Sequence, residues 1–369
     1  MRIFYLSTTS FSDCELELLD KIGGSDVVKY GVIIPMKNNN FTETELVTYA
    51  DRSTMSLLPV NLKYRFRDAR QIFIYVKLLR QIKFFKPDVI YINFFSDIYF
   101  NSLIIPFLNK RKTIIGVHDV TQHSGTKNTS VLNVLQKAVL NKFTNVLTFS
   151  KTQMGLLKNR YADHRVFSIP LMLKDFGAKR TKVIDYKTIN FLFFGNIQTY
   201  KGLDILLAAI DKLKTKYSNF SLTIAGRCPK WNELYQPLID SSLKINLQIR
   251  FINNDEIPEF FSNAHYLVLP YKDVTQSGPL MIAYNYDIPV ISSDVDGFKE
   301  FMEDGRTGYL FESANVDSLE KVLEDAVTRN ESDYNKLVKG VKEYKQIHFA
   351  PEKITNDYLH MFQQVIEKS

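Results

Sequence analysis

The chain has 369 residues, 45% of them hydrophobic and 24% charged, with two cysteines and a formal net charge of +7. That length favours two domains, each able to bury a core, and the balance excludes a disordered or fibrous chain. No apolar run reaches the roughly eighteen residues of a membrane span, and "MRIFYLSTTS" lacks the pattern of a secretory leader.

Cys14 and Cys228 stand too far apart for a zinc spacing and are too few for a disulfide framework, so a cytoplasmic location is expected. The charge is unevenly spread. Residues 1–185 hold 27 Lys and Arg against 15 Asp and Glu; the remainder holds 20 against 25. A basic first half suits an anionic lipid surface, nucleic acid or an acidic substrate, and equally a plain solvated surface. No nucleic-acid module accompanies it.

In chain order, short apolar runs alternate with amphipathic helical stretches. Strands are expected at "RIFYLS", "KYGVIIP", "DVIYINF", "KTIIGVH", "NVLTFS" and "VFSIP" in the first half. In the second half they are expected at "INFLFFG", "FSLTIAG", "LQIRFI", "HYLVLP" and "IPVISSD". Continuous apolar runs suit strands covered on both faces, and helices between them imply parallel sheets. The fold class is therefore α/β, with two doubly wound, Rossmann-like domains expected to face a cleft. Domains are placed at 1–175 and 186–350 across the charged, aperiodic stretch "LMLKDFGAKRTKVIDYK". A last helix over 351–369 is expected to pack back toward the first domain.

After the first strand, "STTSFSDCELELLDKI" offers Thr9 and Ser10 as loop groups for an acceptor, or serves as a polar helix start. Residues 63–92 are basic and aromatic. Ile72, Val76, Leu79 and Phe84 outline a helix whose apolar side is expected on the sheet, ringed by Arg65, Arg67, Arg70, Lys77, Arg80, Lys83 and Lys86. Docking to an anionic membrane is one reading of that ring, each cation near the surface contributing about 1 kcal/mol; a solvated helix face is the other. His118 follows the strand "KTIIGV" and on spacing alone reads as a loop histidine; in the functional reading Asp119 orients it and His123 and Ser124 line the acceptor side.

In "FLFFGNIQTYKGLDILLAAI" a buried strand stops at Gly195, Lys201-Gly202 form a turn, and Leu203, Leu206, Leu207, Ile210 and Leu213 mark one helical face. Ligands of parallel sheets bind at such turns. A glycine admits close approach, and a lysine beside helix amides suits an anion such as a diphosphate. An ordinary loop with a surface lysine has the same letters. Gly226-Arg227 ends the next strand, with Ile252 further on. Residues 265–311 then give a strand ending at Pro270, a loop with Tyr271, Asp273 and Gln276, and a helix opened by Ser277-Gly278-Pro279. Serine caps helices and proline fits their first turn, so this is a second anion-holding helix start.

"FFGNIQTYKGLDILL" and "LPYKDVTQSGPLMIAYNYDIPVISSDVDGFKEFMEDGRTGYLF" together resemble glycosyltransferase family 4, retaining enzymes of GT-B architecture. The likeness is densest over 190–312, with weaker agreement at "GVHDVTQHSG" and the last helix. It implies a nucleotide-diphosphate sugar donor and a glycan or lipid-linked acceptor in surface polysaccharide synthesis. It implies no cofactor and no metal; Asp294 and Asp296 match a segment that carries none in that family. Lys201 matches the lysine gripping the donor diphosphate, and His118 the histidine beside the donor sugar. Gly195, Asn196, Gly226, Arg227, Ile252, Tyr271, Asp273, Gln276, Ser277, Gly278 and Pro279 form the donor side. Asn196 stands where the family has arginine, and Arg227 is the candidate replacement. Val274 and Ile282 stand where the family has two glutamates. The rival readings are a non-catalytic nucleotide-sugar-binding protein and an anionic-lipid-binding regulator. A peripheral position on the inner face of the plasma membrane would fit the acceptor.

Overall fold

A computed structural model describes residues 1–37, 40–64, 68–93, 97–120, 129–179, 186–240 and 245–369. His123, Ser124, Arg65 and Arg67 lie outside the described residues. The chain divides into two compact units, one reaching to Met172 and including Ala350–Ser369, the other running from Leu173 to Phe349.

The first unit alternates β1 (Arg2–Thr8), α1 (Ser12–Gly23), β2 (Val27–Ile34), α2 (Glu43–Ala50), β3 (Ser56–Asn61), α3 (Gln71–Phe85), β4 (Val89–Asn93), α4 (Ile98–Leu103), β5 (Thr113–Val117), α5 (Thr129–Lys142), β6 (Asn145–Thr148), α6 (Lys151–Arg160) and β7 (Arg165–Ser168). The second unit has β8 (Ile189–Phe194), α7 (Leu203–Leu213), β9 (Phe220–Ala225), α8 (Trp231–Leu234), β10 (Ile245–Gln248), α9 (Ile257–Ser262), β11 (Tyr266–Leu269), α10 (Gly278–Asn285), β12 (Val290–Ser293), α11 (Asp296–Lys299), β13 (Gly308–Phe311), α12 (Val316–Thr328) and α13 (Glu331–His348). The last helix, α14 (Pro351–Glu367), returns to the first unit, where Tyr358 and Phe362 meet Tyr91 edge-on.

Each unit holds one parallel sheet, ordered β3-β2-β1-β4-β5-β6-β7 in the first and β10-β9-β8-β11-β12-β13 in the second. Both orders reverse direction once, between β1 and β4 and between β8 and β11. Chain connections leave such a junction in opposite directions, which opens a crevice at the carboxyl ends of the strands. Leu6, Ile90, Ile92 and Ile115 anchor the first core; Phe191, Leu206, Ile210, Leu222 and Val268 anchor the second.

Four elements depart from expectation. β3 carries Pro59, which breaks the strand pattern in the letters; as an edge strand it tolerates a residue with no N–H. β13, the other edge of its sheet, opens on a glycine with φ 150° and is only four residues long, so its apolar run is short. β10 ends at Gln248, before Phe251 and Ile252, because the Arg250 N–H turns back onto the Gln248 carbonyl. On α3 the buried face is Tyr75, Leu78, Ile82 and Phe85, one step round from the expected one, and Ile72 and Phe84 face outward. The helix is apolar on two sides, so periodicity alone could not choose.

At the second crevice the backbone crosses itself closely. Gly202 has φ 66°, and a Cβ there would sit 1.9 Å from the Pro270 carbonyl oxygen. Gly305 has φ 74° but open space around it. Gly202→Ala is therefore expected to cost roughly 2–4 kcal/mol in urea unfolding, and Gly305→Ala about 1 kcal/mol. Equal losses would show that the close crossing does not constrain this turn.

Candidate functional site

The second unit's crevice is built from the turns after β8 and β11. β8 ends in Phe194, and Gly195 takes φ 103°. A Cβ at Gly195 would stand 3.4 Å from the Lys201 Nζ and 3.4 Å from Pro279 in the first turn of α10. Two turns distant in sequence thus converge on one point. Gly226 closes the floor: a Cβ there would lie 2.0 Å from the Gly195 carbonyl.

Lys201 is 7% exposed. Among the described residues no carboxylate pairs with it; Asp204, three residues on, is taken by Lys272 at 2.8 Å. Its nearest compensation is the Tyr271 ring, 5.3 Å from Nζ to centroid. Burial lowers the Lys201 pKa to about 8. An ammonium held out of water without a counter-ion is costly, and it favours any anion that can enter.

The donors around it have the matching sign. α10 begins at Gly278 after Ser277, whose Oγ accepts from the Leu280 N–H at 3.3 Å. The positive end of that helix opens beside Gly195. Lys174 is a second cation here. Its Nζ is 3.4 Å from where a Gly278 Cβ would be. Lys174 sits in the aperiodic stretch after β7, where the letters give no pattern. By contrast Arg227 and Asn196 are both exposed.

The rest of the β11–α10 loop is apolar where the resemblance calls for acids. Val274 and Ile282 are buried. Val274 packs so tightly on Gly297 of α11 that a Cβ there would meet the Val274 carbonyl at 2.2 Å. The Gln276 Oε1 is buried without a hydrogen-bond partner among the described residues, an acceptor awaiting a donor. Tyr271 is buried and Asp273 half-buried beside it; Ile252 is buried after β10. Asp294 accepts from the Ser313 N–H at 2.9 Å and faces Lys299 at 3.5 Å, while Asp296 opens α11. Among the described residues no cluster of metal-ligating side chains occurs.

The first unit has its own constellation at its switch point. His118 follows β5 and lies flat between Phe11 and Phe149, each ring centroid 4.2 Å away. Its Nε2 is 2.8 Å from the Asn93 Oδ1 at the end of β4. The sequence points to Asp119 as the orienting group; the bond seen at Nε2 goes to Asn93, and the Asp119 carbonyl accepts from Gln136. Thr9 is buried and Ser10 exposed in the turn after β1. Nothing in the letters singles out Phe11, and Asn93 is marked only as the polar residue that closes the apolar run "DVIYIN".

Residues 188–329 match the family of glycosyl transferases group 1. That stretch lies within the second unit. An uncharacterized glycosyltransferase of Haemophilus influenzae is 23% identical over 275 residues, covering 73% of this chain and 74% of that one. A 41.2 kDa protein of the cps region of Klebsiella pneumoniae is 24% identical over 181 residues, 48% of this chain; the match spans about half of that relative, 47%. In fold, a glycosyltransferase of Rickettsia africae superposes with a TM-score of 0.73 at 14% identity over the whole of both chains. The Anabaena protein HepE, solved with UDP and glucose, superposes at 0.75 and 14% identity over 99% of this chain and all of that one. The architecture is GT-B, with two Rossmann-like units. The matched stretch begins at β8, so the Gly195–Lys201 turn and the start of α10 both fall within it.

Lys201 gives the site a stability signature. Its folded pKa lies below the unfolded value of 10.5, so the unfolded chain binds more protons between about pH 8 and 10.5. Stability from this group therefore rises with pH across that window and is lowest below it. Lys201→Met should stabilise the ligand-free protein at pH 7 by roughly 1–3 kcal/mol in urea unfolding, with the gain fading by about pH 10. A less stable variant at pH 7 would contradict the buried, uncompensated charge.

Proposed function

We propose that the chain is a retaining, metal-independent glycosyltransferase. In this reading it moves a sugar from a nucleoside-diphosphate sugar to a hydroxyl of a glycan or lipid-linked acceptor in surface polysaccharide synthesis. The observation that carries it is the buried ammonium of Lys201, set between the Gly195 turn and the start of α10 with no carboxylate partner among the described residues. Breaking the sugar–phosphate bond leaves new negative charge on the diphosphate. Fixed positive groups aimed at that charge are the largest catalytic term such a site can offer. Lys201, Lys174 and the Gly278 end of α10 supply them, so Lys174 takes the place of the arginine that Asn196 lacks. Gln276 accepts from a sugar or ribose hydroxyl. His118 of the first unit hydrogen-bonds the sugar. Retention and metal independence rest on the family 4 resemblance, and the Klebsiella relative's cps region supports the polysaccharide role.

Val274 and Ile282 favour a second reading, a non-catalytic nucleotide-sugar-binding protein. Saturation-transfer NMR with a panel of UDP-, GDP- and ADP-sugars, followed by transfer assays with labelled donor, separates the two. We expect one base to bind, Lys174→Ala and Lys201→Ala each to weaken binding about tenfold or more, and chelator to leave turnover unchanged. Binding untouched by both variants would overturn the site. Binding with no hydrolysis or transfer above background would select the second reading.

The acceptor side of the proposal includes an anionic membrane. Phe73 and Phe84 are 76% and 83% exposed on the outward face of α3, and exposed Lys77, Arg80 and Lys83 lie among them. Aromatic rings between cations suit a lipid headgroup layer. Among the described residues no helix is long and apolar enough to cross a membrane. Flotation with phosphatidylglycerol vesicles should retain the protein, and Phe73→Ser with Phe84→Ser should release it. Equal flotation on neutral phosphatidylcholine would contradict the electrostatic part.

A further inference from the structure

We propose that Glu15 and Asn93 are positioning residues that hold His118 as a hydrogen-bond donor at Nε2 and support positive charge on its ring. The inference rests on the glycosyltransferase reading only for what His118 then does, not for the relay itself.

The geometry carries it. Glu15 lies in the first turn of α1, 3% exposed, on the same stripe as Leu18, Leu19 and Ile22. Its Oε1 accepts from Tyr5 Oη at 3.1 Å, Ser7 Oγ at 2.9 Å and Asn93 Nδ2 at 2.8 Å; its Oε2 accepts from Tyr30 Oη at 3.1 Å. A carboxylate only accepts, so the Asn93 amide must turn its NH₂ toward Glu15. Its carbonyl is then committed to His118, 2.8 Å from Nε2, and that nitrogen must donate. A neutral ring consequently carries its lone pair on Nδ1. Phe11 and Phe149 fix the plane of the ring, and the Asn93 bond fixes its rotation within that plane. Aromatic faces on both sides also favour a cationic ring.

Other groups around Glu15 do not explain the arrangement. Cys14 on its own helix, Tyr5 of β1, Tyr30 of β2, Tyr91 of β4 and Tyr358 of α14 surround the carboxyl, and none of them brings a positive charge. Burial accordingly outweighs the four donors and raises the Glu15 pKa to about 7. A merely structural acid at this position would be served as well by glutamine. Protonated Glu15 becomes a donor, and the Asn93 amide loses the constraint that aims its carbonyl at His118. The charge state of one buried acid thereby reaches the ring through a single side chain.

The test is a proton NMR titration of His118 in the full chain, its signal assigned with His118→Gln, in wild type, Glu15→Gln and Asn93→Leu. Circular dichroism and thermal unfolding verify that each variant is folded. Both variants should lower the His118 midpoint by at least about half a pH unit, because each removes support for the charged ring. The conservative Glu15→Asp should restore part of the shift. A His118 midpoint unchanged in both folded variants would overturn the relay. With whichever donor the binding panel identifies, Asn93→Leu should lower kcat about tenfold or more while KM stays within about twofold. A shifted midpoint without any transfer activity would uphold the relay and refute the glycosyltransferase reading. Transfer activity with an unmoved midpoint would do the reverse.

Discussion

The burial of one ammonium group with no carboxylate beside it among the described residues is the constraint on which the second unit turns. Lys201 is held out of water by the crossing of two strand-end turns, and the compensation it meets among the described residues is an aromatic face. A protein gains nothing in stability from such a charge. What it gains is a preorganised counter-charge for an anion, placed where a parallel sheet opens its crevice. The glycines follow from the same constraint. Gly202 lets the turn pass against Pro270, Gly226 lets it pass against Gly195, and Gly195 keeps the space in front of Nζ clear.

The two units repeat one topology and use it differently. In the second, the switch point gathers positive charge: Lys201, Lys174 and the open end of α10. In the first, the corresponding point gathers a neutral and acidic network beneath an imidazole, reached through Asn93. The second unit's switch point suits an anion. The other suits a ring whose orientation and charge matter. The similarity to HepE and to the Rickettsia enzyme is in fold, at 14% identity, so the chemistry has to be argued from these side chains.

Much of this was legible in the letters because parallel strands buried on both faces read as unbroken apolar runs. β8 and β11 announce themselves, and Gly195, Lys201 and Ser277 follow them at the carboxyl ends where ligands bind. Edge strands were harder: Pro59 interrupts β3, where a rim position tolerates it, and β13 opens on Gly308, where a Cβ would meet the Val290 carbonyl at 1.8 Å. The buried face of α3 differs from the expected one because an apolar stripe exists on both sides, and sheet contact selects between them. Lys174 was invisible because its role depends on a fold-back of an aperiodic stretch. Glu15 left a trace, an acid on the apolar stripe of α1, whose meaning needs the three strands that bond it.

An anionic diphosphate entering the second unit's crevice restores the proton that burial withdraws from Lys201. Calorimetric titration of UDP and of GDP at about pH 8.5, in buffers of different ionisation enthalpy, measures that proton directly. The account predicts uptake of a substantial fraction of one proton per nucleotide bound, and its disappearance in Lys201→Met along with most of the affinity. Tight binding with no proton uptake, equally strong in Lys201→Met, would contradict it.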